Sequence, residues 1–385
     1  MLKEFVKLGQ LRLWQAYCQE QRAKHPLTYL FWETTLRCNL SCRHCGSSCG
    51  PRSPVRELST QEIKDALSTV AADYVAPGIM LAITGGEPLL RPDLFEVVNL
   101  AHELGFSWGM VTNGTLVTPE VVAKCKDAGM STVTVSLDGL KEAHDFIRGK
   151  GSFRRAVQGA ELVAKAGFPL VQVTTCISQY NFGELEGLHR LVRDLGVDEW
   201  RLLTITPIGR ARDDPKLLLP PGQLRELLDF IREQRRGLPM GARNIKSPAM
   251  AASKPASPPV VLFEEEGFLG PDYEGEVRES YFACYAGVNV GSILADGSIG
   301  ACPNLPRHLA QGNVRRERFS LVWEKGYQLF RDTSWKRCQR CSSCQWWGFC
   351  QGNGLHLWDF ERGEPMLCHW RLLRETEGGK GIGDS

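Results

Sequence analysis

Three cysteines near the start of the chain could bind a metal centre together. Cys38, Cys42 and Cys45 stand in the spacing C-x3-C-x2-C within residues 36–49. Three thiolates on so short a loop can all bind one metal centre. A 4Fe-4S cluster normally takes four thiolates. Three nearby ligands therefore leave one iron open, where a small molecule can be bound and changed. Two alternatives remain at this point: Cys49 as a fourth ligand, and zinc in place of the cluster.

A second group of cysteines lies toward the C-terminus. Its seven members are Cys284, Cys302, Cys338, Cys341, Cys344, Cys350 and Cys368. The chain carries 14 cysteines and shows no export signal, so we expect a reducing compartment, where dense cysteine usage indicates metal binding rather than disulfides. Zinc is again the alternative, because zinc ribbons reuse C-x2-C pairs. The single cysteines Cys18, Cys125 and Cys176 are interpreted as core or surface thiols.

The composition is that of a globular protein with about two domains. The chain has 385 residues, of which 43% are hydrophobic and 23% charged, and a net charge of +2. This charge gives no reason to expect nucleic acid or an anionic membrane as a partner, and no apolar stretch reaches the length of a membrane span. Residues 1–27 predict an amphipathic helix rather than a signal peptide. We therefore expect a cytoplasmic protein.

Six strand-like segments alternate with six helical segments between residues 28 and 236. The predicted strands are 28–34, 78–84, 106–112, 131–137, 170–175 and 200–205, and the predicted helices are 59–74, 92–104, 118–128, 153–167, 183–195 and 221–236. Ser59 and Glu62 form a capping-box pattern at the first helix. Six strand–helix units imply an α/β fold, a parallel sheet that curls into a partial (βα)6 barrel. In such folds the active-site residues lie at the carboxyl ends of the strands, and the cysteine loop follows the first strand.

A glycine pair follows the second predicted strand. Gly85 and Gly86 let the backbone pass close to a ligand, and Pro88 stiffens the exit of the turn. Between them, Glu87 offers a carboxylate that can accept from an ammonium group. An ordinary strand-to-helix turn is the simpler interpretation of two glycines. Next to a three-cysteine loop, a ligand site is the better one.

Further polar groups follow the later strands. Asn113 comes after the third predicted strand, and Ser136 and Asp138 come at the end of the fourth. Each could form only an Asx turn, but together they offer donors and acceptors for a ribose and a carboxylate. Residues 207–210, which end in Arg210, follow the sixth strand. We expect all of them at one edge of the sheet.

The chain changes character after residue 236. Residues 237–275 contain many prolines and no apolar period, which predicts a linker or a lid loop with a short strand at 260–263. Residues 276–372 form a cysteine-rich domain with a hairpin that turns at Asp296 and Gly297. The glycine-rich residues 373–385 are predicted to be a disordered tail.

These features together resemble a known enzyme family. The C-x3-C-x2-C loop after the first strand, Gly-Gly-Glu-Pro after the second and the seven-cysteine tail are similar to those of radical S-adenosylmethionine enzymes with a SPASM-type auxiliary-cluster domain. The resemblance covers roughly residues 28–370 and disfavours zinc. It implies that the loop cysteines hold a 4Fe-4S cluster whose open iron binds the amino and carboxylate groups of S-adenosylmethionine.

The resemblance also assigns roles to individual side chains. The residues implied to contact S-adenosylmethionine are Gly85, Gly86, Glu87, Asn113, Ser136, Asp138 and Arg210. The first three would take the methionine ammonium, the next three would reach the ribose or the carboxylate, and Arg210 belongs to the stretch on the adenine side. His44 stands where the family usually has an aromatic residue, and its ring can still present a flat face to adenine.

In the tail, the resemblance implies one or two auxiliary 4Fe-4S clusters. The ligands of the distal cluster would be Cys341, Cys344, Cys350 and Cys368. Cys284 and Cys302 would hold part of the proximal cluster, but Gly354 stands where the family often has its closing cysteine. Cys338 is spare and could replace it. Otherwise the proximal cluster has an open iron or is absent.

The implied chemistry is reductive cleavage of S-adenosylmethionine to a 5'-deoxyadenosyl radical that abstracts hydrogen. Our first hypothesis is an oxygen-sensitive oxidoreductase that modifies a peptide or protein by thioether or carbon–carbon crosslinking or by side-chain oxidation. One alternative is a maturase of a tetrapyrrole or metalloenzyme cofactor, and another is a non-catalytic metal-stabilised binding or electron-transfer protein. The expected partners are the substrate and a low-potential electron donor such as ferredoxin or flavodoxin. No catalytic side chain is predicted.

Overall fold

A ten-stranded sheet organises the protein in the computed structural model, which describes residues 2–238, 258–264, 267–337 and 339–375. Seven of its strands are β1 (Tyr29–Glu33), β2 (Met80–Thr84), β3 (Ser107–Thr112), β4 (Thr132–Ser136), β5 (Leu170–Ile177), β6 (Glu199–Thr204) and β7 (Val260–Phe263). They lie side by side in chain order and pair in parallel. The predicted partial barrel is confirmed, and the short strand predicted at 260–263 is present as β7, which extends the parallel sheet beyond β6.

Helices connect these strands as the parallel order requires. They are α1 (Leu2–Lys24) before β1, then α2 (Thr60–Asp73), α3 (Leu94–Glu103), α4 (Pro119–Asp127), α5 (Lys141–Arg148), α6 (Ser152–Lys165), α7 (Leu185–Leu195) and α8 (Pro221–Gln234). The capping box at α2 is present: the Glu62 amide donates to Ser59 Oγ at 3.2 Å, and the Ser59 amide donates to Glu62 Oε2 at 2.8 Å. Local sequence therefore fixes this helix start.

Helix α5 was not predicted, because its buried face mixes apolar and polar side chains. Ala143 and Ile147 are buried four residues apart, but His144 and Arg148 are buried beside them. Two ionisable residues on the buried side break the apolar period by which a helix is recognised from sequence. Gly149, with φ of 129°, ends the helix. The Arg43 amide of the cysteine loop donates to the Ile147 carbonyl at 2.9 Å, so α5 supports that loop.

The cysteine-rich region continues the barrel sheet. Its elements are β8 (Val290–Ile293), β9 (Ser298–Gly300), β10 (Gly312–Asn313), α9 (Phe319–Lys325), α10 (Gln328–Arg331), α11 (Trp347–Cys350), β11 (Trp358–Asp359), β12 (Glu364–Pro365) and α12 (His369–Glu375). β8 pairs in parallel with β1, and β9 and β10 follow antiparallel. The predicted hairpin turn is present, with Gly297 at φ of 83°.

The described half of the predicted linker belongs to the core. All four residues of β7 are buried, and so are Phe268, Leu269 and Glu274 behind it. Burial against β6 places the predicted short strand at 260–263 within the sheet, although the composition around it is rich in proline. Residues 239–257 and 376–385, which include most of the predicted disordered tail, lie outside the described residues.

Helix α1 docks on the cysteine-rich region rather than on the barrel helices. The Trp14 indole donates to the Phe282 carbonyl at 3.0 Å, and the Tyr281 hydroxyl donates to Gln10 Oε1 at 2.8 Å. One face of the helix is therefore fixed against the strand-free segment that precedes β8. Among the helices that the structure describes, none is both long enough and apolar enough to cross a membrane.

Candidate active site

The cysteine loop lies at the carboxyl end of β1, where the barrel fold predicts a site. Cys38 and Cys42 are buried, and Cys45 is half-buried. The loop closes on itself, because the Cys38 amide donates to the Gly50 carbonyl at 2.6 Å. The three predicted ligands therefore belong to one compact, bonded turn.

The spacing of the sulfur atoms bears on which metal centre the loop can hold. A tetrahedral zinc site with Zn–S bonds of about 2.3 Å needs sulfur atoms about 3.8 Å apart. Within the described residues, His44, Asp138 and Cys176 have ligand atoms that all lie within 4.8 Å of one another, and the loop cysteines form no such set. In a 4Fe-4S cluster each thiolate binds a different iron, which separates the sulfurs more widely. The donor set fits the cluster better than a zinc ion.

The thiols of the loop differ in how readily they ionise. Burial raises the pKa of Cys42 to about 11 and also raises that of Cys38. In contrast, a hydrogen bond from the Cys49 thiol lowers the pKa of Cys45 to about 5. The Cys49 thiol is therefore a neighbour of Cys45, one of the three predicted ligands. A bound metal centre would stabilise the buried thiolates and release their protons.

The glycine pair after β2 packs against the backbone of the cysteine loop. A Cβ atom on Gly85 would lie 2.4 Å from the Thr35 carbonyl oxygen, and one on Gly86 would lie 2.1 Å from the Arg37 carbonyl oxygen. Gly85 also has φ of 135°, which strains any other residue. Both glycines line the cavity in front of the loop. They allow close approach to the loop as well as to a ligand.

Glu87 lies behind the cavity and is bonded to the end of β3. Its side chain is fully buried, and its two oxygens accept from Thr112 Oγ1 and from the Asn113 amide, each at 2.8 Å. It is not among the residues that line the cavity. Burial raises its pKa, and these hydrogen bonds oppose the shift. The carboxylate joins the turn after β2 to the end of β3. Acceptance from a methionine ammonium by Glu87 and the glycine pair stays a prediction.

Asn113 and Ser136 lie where the sequence predicts cofactor contacts. Both line the cavity of ≈ 340 Å³ in front of the cysteine loop. Asn113 Nδ2 donates to Asn39 Oδ1 at 2.9 Å and lies 3.9 Å from Cys38 Sγ. An amide donor beside a ligating sulfur adjusts the potential of a cluster. Contact of these two residues with the ribose or the carboxylate remains a prediction.

Asp138 anchors the cysteine loop and does not line the cavity. It is fully buried, and its Oδ2 lies 3.0 Å from His44 Nε2 while Arg148 Nε donates to the same oxygen at 2.5 Å. Its Oδ1 accepts from the Cys176 amide at 2.8 Å. Both oxygens of Asp138 already have protein partners, and its predicted contact with the ribose or the carboxylate stays a prediction. His44 itself lines the cavity, and its contact with adenine stays a prediction.

Arg210 also holds the loop in place. Its Nε donates to the Cys42 carbonyl at 2.7 Å, and a terminal nitrogen donates to the Cys49 carbonyl at 2.9 Å. The backbone of Arg210 donates to the Cys45 carbonyl at 3.2 Å. The guanidinium thus positions the loop backbone. Arg210 also lines the cavity in front of the loop, and its predicted place on the adenine side stays a prediction.

Several residues of the cavity were not predicted. They are Thr112, Arg148, Cys176, Thr204, Asn304 and His356. The strand-end members could have been found, because they stand at the carboxyl ends of β3, β5 and β6. Asn304 and His356 come from the cysteine-rich region, and no local sequence pattern predicts that they line a cavity of the barrel. They close the cavity from the opposite side.

The four cysteines predicted for the distal auxiliary cluster line one cavity. This cavity measures ≈ 410 Å³ and is lined by Cys341, Cys344, Cys350 and Cys368. Burial raises the pKa of Cys350 and of Cys368, and neighbouring thiols raise it further. Trp346 also lines the cavity, where its ring can shield a cluster from water. The described geometry fits a four-thiolate cluster.

The proximal set is incomplete within the described residues. Cys284 and Cys302 are both half-buried, and Gly354 brings no thiol. Cys338, the predicted substitute, lies outside the described residues. Strand pairing nevertheless brings Cys302 toward Cys284. In the antiparallel pair of β8 and β9, Ser292 lies opposite Gly300, so the chain that follows Gly300 runs back toward the start of β8. Cys302 therefore lies near that start, which comes just after Cys284 in the chain.

Two protein-family models match the chain. The radical SAM superfamily model matches residues 32–192, and the iron-sulfur cluster-binding domain named SPASM matches residues 284–345. The AdoMet-dependent heme synthase of Methanosarcina barkeri is 29% identical over 83% of this chain and 89% of its own length. The mycofactocin maturase MftC of Mycobacterium ulcerans is 34% identical over 88% of this chain and 85% of its own length.

Solved structures share the same fold. Native anSMEcpe with bound AdoMet and Cp18Cys peptide superposes with a TM-score of 0.67 at 18% identity, covering 91% of this chain and 95% of that one. Streptococcus suis SuiB bound to S-adenosylmethionine gives a TM-score of 0.65 at 17% identity, covering 86% and 73%. With the cysteine loop at β1 and the cysteine cavity of the tail, these matches establish that the chain belongs to the radical SAM superfamily and carries a C-terminal SPASM iron-sulfur domain.

Proposed function

We propose that this enzyme modifies a peptide or protein. A 4Fe-4S cluster on the three loop thiolates would supply the electron that cleaves S-adenosylmethionine, and the 5'-deoxyadenosyl radical so formed would take a hydrogen atom from the substrate. The proposal depends chiefly on one observation. A large cleft, lined by equal numbers of arginines and carboxylates, opens onto the cavity in front of the cysteine loop, which is called the cofactor cavity below. The products would be a crosslinked or oxidised side chain.

The cleft connects the cofactor cavity to the surface of the protein. It measures ≈ 970 Å³ and runs between the barrel and the cysteine-rich domain. Gly46, Ile208, Asn304 and His356 line both the cleft and the cofactor cavity. A substrate in the cleft would therefore lie against the place where the radical forms, with water excluded by side chains from both domains.

The ionisable groups of the cleft favour a peptide over a polyanion. Its arginines are Arg212, Arg307 and Arg362, and its carboxylates are Glu33, Asp359 and Glu361. Two of these arginines are already engaged, since Arg307 pairs with Glu33 and Arg362 Nε lies 3.7 Å from Asp359. A cleft with as many carboxylates as arginines offers no excess positive potential to a multiply carboxylated ligand. It suits a chain of mixed polarity.

Relatives support this substrate class without deciding it. The MftC relatives are named as maturases, and two solved neighbours were determined with peptides: anSMEcpe with the Cp18Cys peptide, and SuiB with its precursor peptide SuiA. The auxiliary site of the tail gives an electron acceptor for a side-chain oxidation. A cytoplasmic ferredoxin or flavodoxin would supply the first electron.

The decisive experiment follows hydrogen transfer. The anaerobically reconstituted enzyme is incubated with S-adenosylmethionine, dithionite and a deuterated candidate peptide from a neighbouring reading frame. We expect deuterium in the 5'-deoxyadenosine and a mass change in the peptide. An unlabelled nucleoside together with an unchanged peptide, for every peptide tested, would refute the proposal.

A tetrapyrrole maturase is the second candidate. Relatives named AdoMet-dependent heme synthase and Fe-coproporphyrin III synthase match 83% and 86% of this chain. The cleft also has two aromatic side chains, Trp358 and Phe360, that could lie against a flat ring. The test repeats the same assay with iron coproporphyrin in place of the peptide. If the porphyrin loses carboxyl groups, the tetrapyrrole maturase becomes the first candidate and the peptide-modifying enzyme the second.

A further inference from the structure

Four exposed cations lie together on the outer side of the cysteine loop. They belong to the loop itself and to the junction between α5 and α6, and they are Arg43, Lys150, Arg154 and Arg155, called the basic patch below. The Arg43 amide donates to the Ile147 carbonyl at 2.9 Å, and Arg43 Nε donates to the Phe146 carbonyl at 3.1 Å. These bonds hold the loop cation beside the junction that carries the other three.

The basic patch has no carboxylate partner among the residues that the structure describes. Two carboxylates nearby in the chain are used elsewhere. Asp145 accepts from the Gly151 and Phe153 amides, each at 2.9 Å. Glu142 Oε1 lies 3.5 Å from Lys141 Nζ. The whole chain has a net charge of only +2, so the patch is a local excess of positive charge that can attract an acidic partner.

The patch lies close to a predicted ligand of the first cluster. Cys42 Sγ lies 4.0 Å from the Arg148 carbonyl oxygen, and Lys150 and Gly151, which follow in the same turn, are exposed. A Cβ atom on Gly151 would have no neighbouring atom within 4 Å, so the space over the turn is open. One turn of chain therefore separates the Cys42 sulfur from the surface. Because electron transfer slows steeply with distance, a carrier docked here has a short path to the cluster.

An exposed aromatic ring adjoins the cations. Phe146 is 44% exposed, although it belongs to a helix whose other apolar residues are buried. The Arg43 Cζ atom lies 4.1 Å from the centre of this ring, and the Tyr180 ring lies 4.7 Å from it, centre to centre. Such a surface fits a carrier whose redox group is exposed among carboxylates, because the ring gives apolar contact and the cations give long-range attraction.

We propose that the basic patch docks an acidic one-electron carrier protein of the flavodoxin type. The proposal rests on the proposed reductive cleavage of S-adenosylmethionine but not on the substrate. In the docked complex one electron passes from the reduced carrier to the 4Fe-4S cluster, so the carrier is oxidised, the cluster is reduced and no bond is made or broken. Docking leaves the cofactor cavity free, because the four patch residues are not among the described residues that line it.

The test compares two ways of reducing the anaerobically reconstituted enzyme. In the first, purified flavodoxin, its NADPH-dependent reductase and S-adenosylmethionine are supplied without peptide, and the rate of 5'-deoxyadenosine formation is measured against flavodoxin concentration at low ionic strength. In the second, light and the uncharged small molecule 5-deazariboflavin reduce the enzyme directly. The double variant Lys150→Glu with Arg154→Glu should raise the KM for flavodoxin about tenfold or more and leave the deazariboflavin-driven yield unchanged.

The double variant Lys126→Glu with Lys165→Glu is the matched control. Both lysines are exposed and lie at the C-terminal ends of α4 and α6, at the edge of the sheet opposite to the cysteine loop. The change in net charge is the same, so the control should keep the parent's KM for flavodoxin. Added salt should raise this KM in the parent and in the control, and much less in the patch variant.

Three outcomes would overturn the proposal. One is an equal KM for flavodoxin in the patch variant and the control, as expected if the patch binds a nucleic acid or the substrate instead. Another is a deazariboflavin-driven yield that falls as far as the flavodoxin-driven rate, since the substitutions would then act on the cluster. The third is a dimeric parent enzyme that the patch substitutions dissociate, since the patch would then join two copies of the chain. No peptide enters these assays, so their result is independent of the proposed peptide modification.

Discussion

Arg148 and Asp138 form a buried ion pair behind the cysteine loop, with Arg148 Nε donating to Asp138 Oδ2 at 2.5 Å. Burial alone would raise the pKa of Asp138, but Arg148 and His44 outweigh burial and hold it well below its ordinary value. The opposing charge likewise raises the pKa of Arg148. The pair links α5 to the end of β4, and through His44 it reaches the C-x3-C-x2-C loop.

Removing one partner of this pair should be strongly destabilising. Asp138→Asn leaves the Arg148 charge buried and uncompensated, and we expect a loss of about 3 kcal/mol in the free energy of unfolding. The double variant Asp138→Asn with Arg148→Met removes both charges and should recover part of the loss. Urea unfolding of the cluster-free protein measures both. Equal stability of Asp138→Asn and the parent would contradict a role for the pair.

Substitutions should distinguish the loop cysteines that bind the cluster from Cys49, which is a neighbour of Cys45. Cys42→Ala removes a ligand, so no 5'-deoxyadenosine should form above background when anaerobic protein is given dithionite and S-adenosylmethionine. Cys49→Ser keeps a hydroxyl that can donate to Cys45 and should retain the cluster iron. If Cys49→Ser loses as much iron as Cys42→Ala, Cys49 is a ligand and our assignment is wrong.

The variant Glu87→Gln tests whether the Glu87 side chain stabilises the fold or binds the cofactor. The amide can still accept one of the hydrogen bonds from Thr112 and Asn113 but turns a donor toward the other, which should cost about 1–3 kcal/mol of stability. We expect a lower melting temperature and less bound cluster iron, with little change in the KM for S-adenosylmethionine of the cluster-loaded fraction. A raised KM with unchanged melting would restore the direct ammonium contact.

Acid should weaken the attachment of the cysteine-rich domain to α2. Hydrogen bonds from Arg315 lower the pKa of Glu62 to about 2, and Arg315 Nε donates to Glu62 Oε1 at 2.6 Å. An unfolded Glu has a pKa of about 4.3, so this contribution is complete above that pH and is lost as the pH falls toward 2. After solvent screening we expect about 1 kcal/mol.

Urea unfolding at pH 6 and pH 3 tests this linkage in the cluster-free protein. Glu62→Gln should reduce the stability difference between the two pH values, because the variant has no carboxylate to titrate at that position. Glu186→Gln, which changes an exposed carboxylate on α7, serves as the matched control and should leave the difference as it is. A Glu62→Gln profile that coincides with that of the parent would show that the Arg315 contact contributes nothing.

Sequence reasoning succeeded where the determining signal is local. The Ser59 and Glu62 pattern, the Asp296–Gly297 turn and the alternation of strands and helices each depend on residues close together in the chain. It does not reach the partners of a buried polar residue. A sequence gives the positions of Glu87 and Asp138 along the chain but not the donors that surround them, and their predicted contacts with the cofactor stay predictions.

The same limit explains the cavity residues that were missed. Asn304 and His356 reach the barrel only because the cysteine-rich domain packs over its open edge, and α5 is buried through His144 and Arg148 rather than through an apolar face. These contacts join residues far apart in the chain. Composition and periodicity carry no information about them.

The pairing of β1 with β8 has a consequence for synthesis of the chain. Tyr29 pairs with Val290, 261 residues later, so one edge of β1 stays open until most of the polypeptide has left the ribosome. Contacts of such long range form late. Insertion of iron and sulfide at Cys38, Cys42 and Cys45 should therefore be a post-translational event, and nascent chains truncated before residue 290 should aggregate or recruit chaperones.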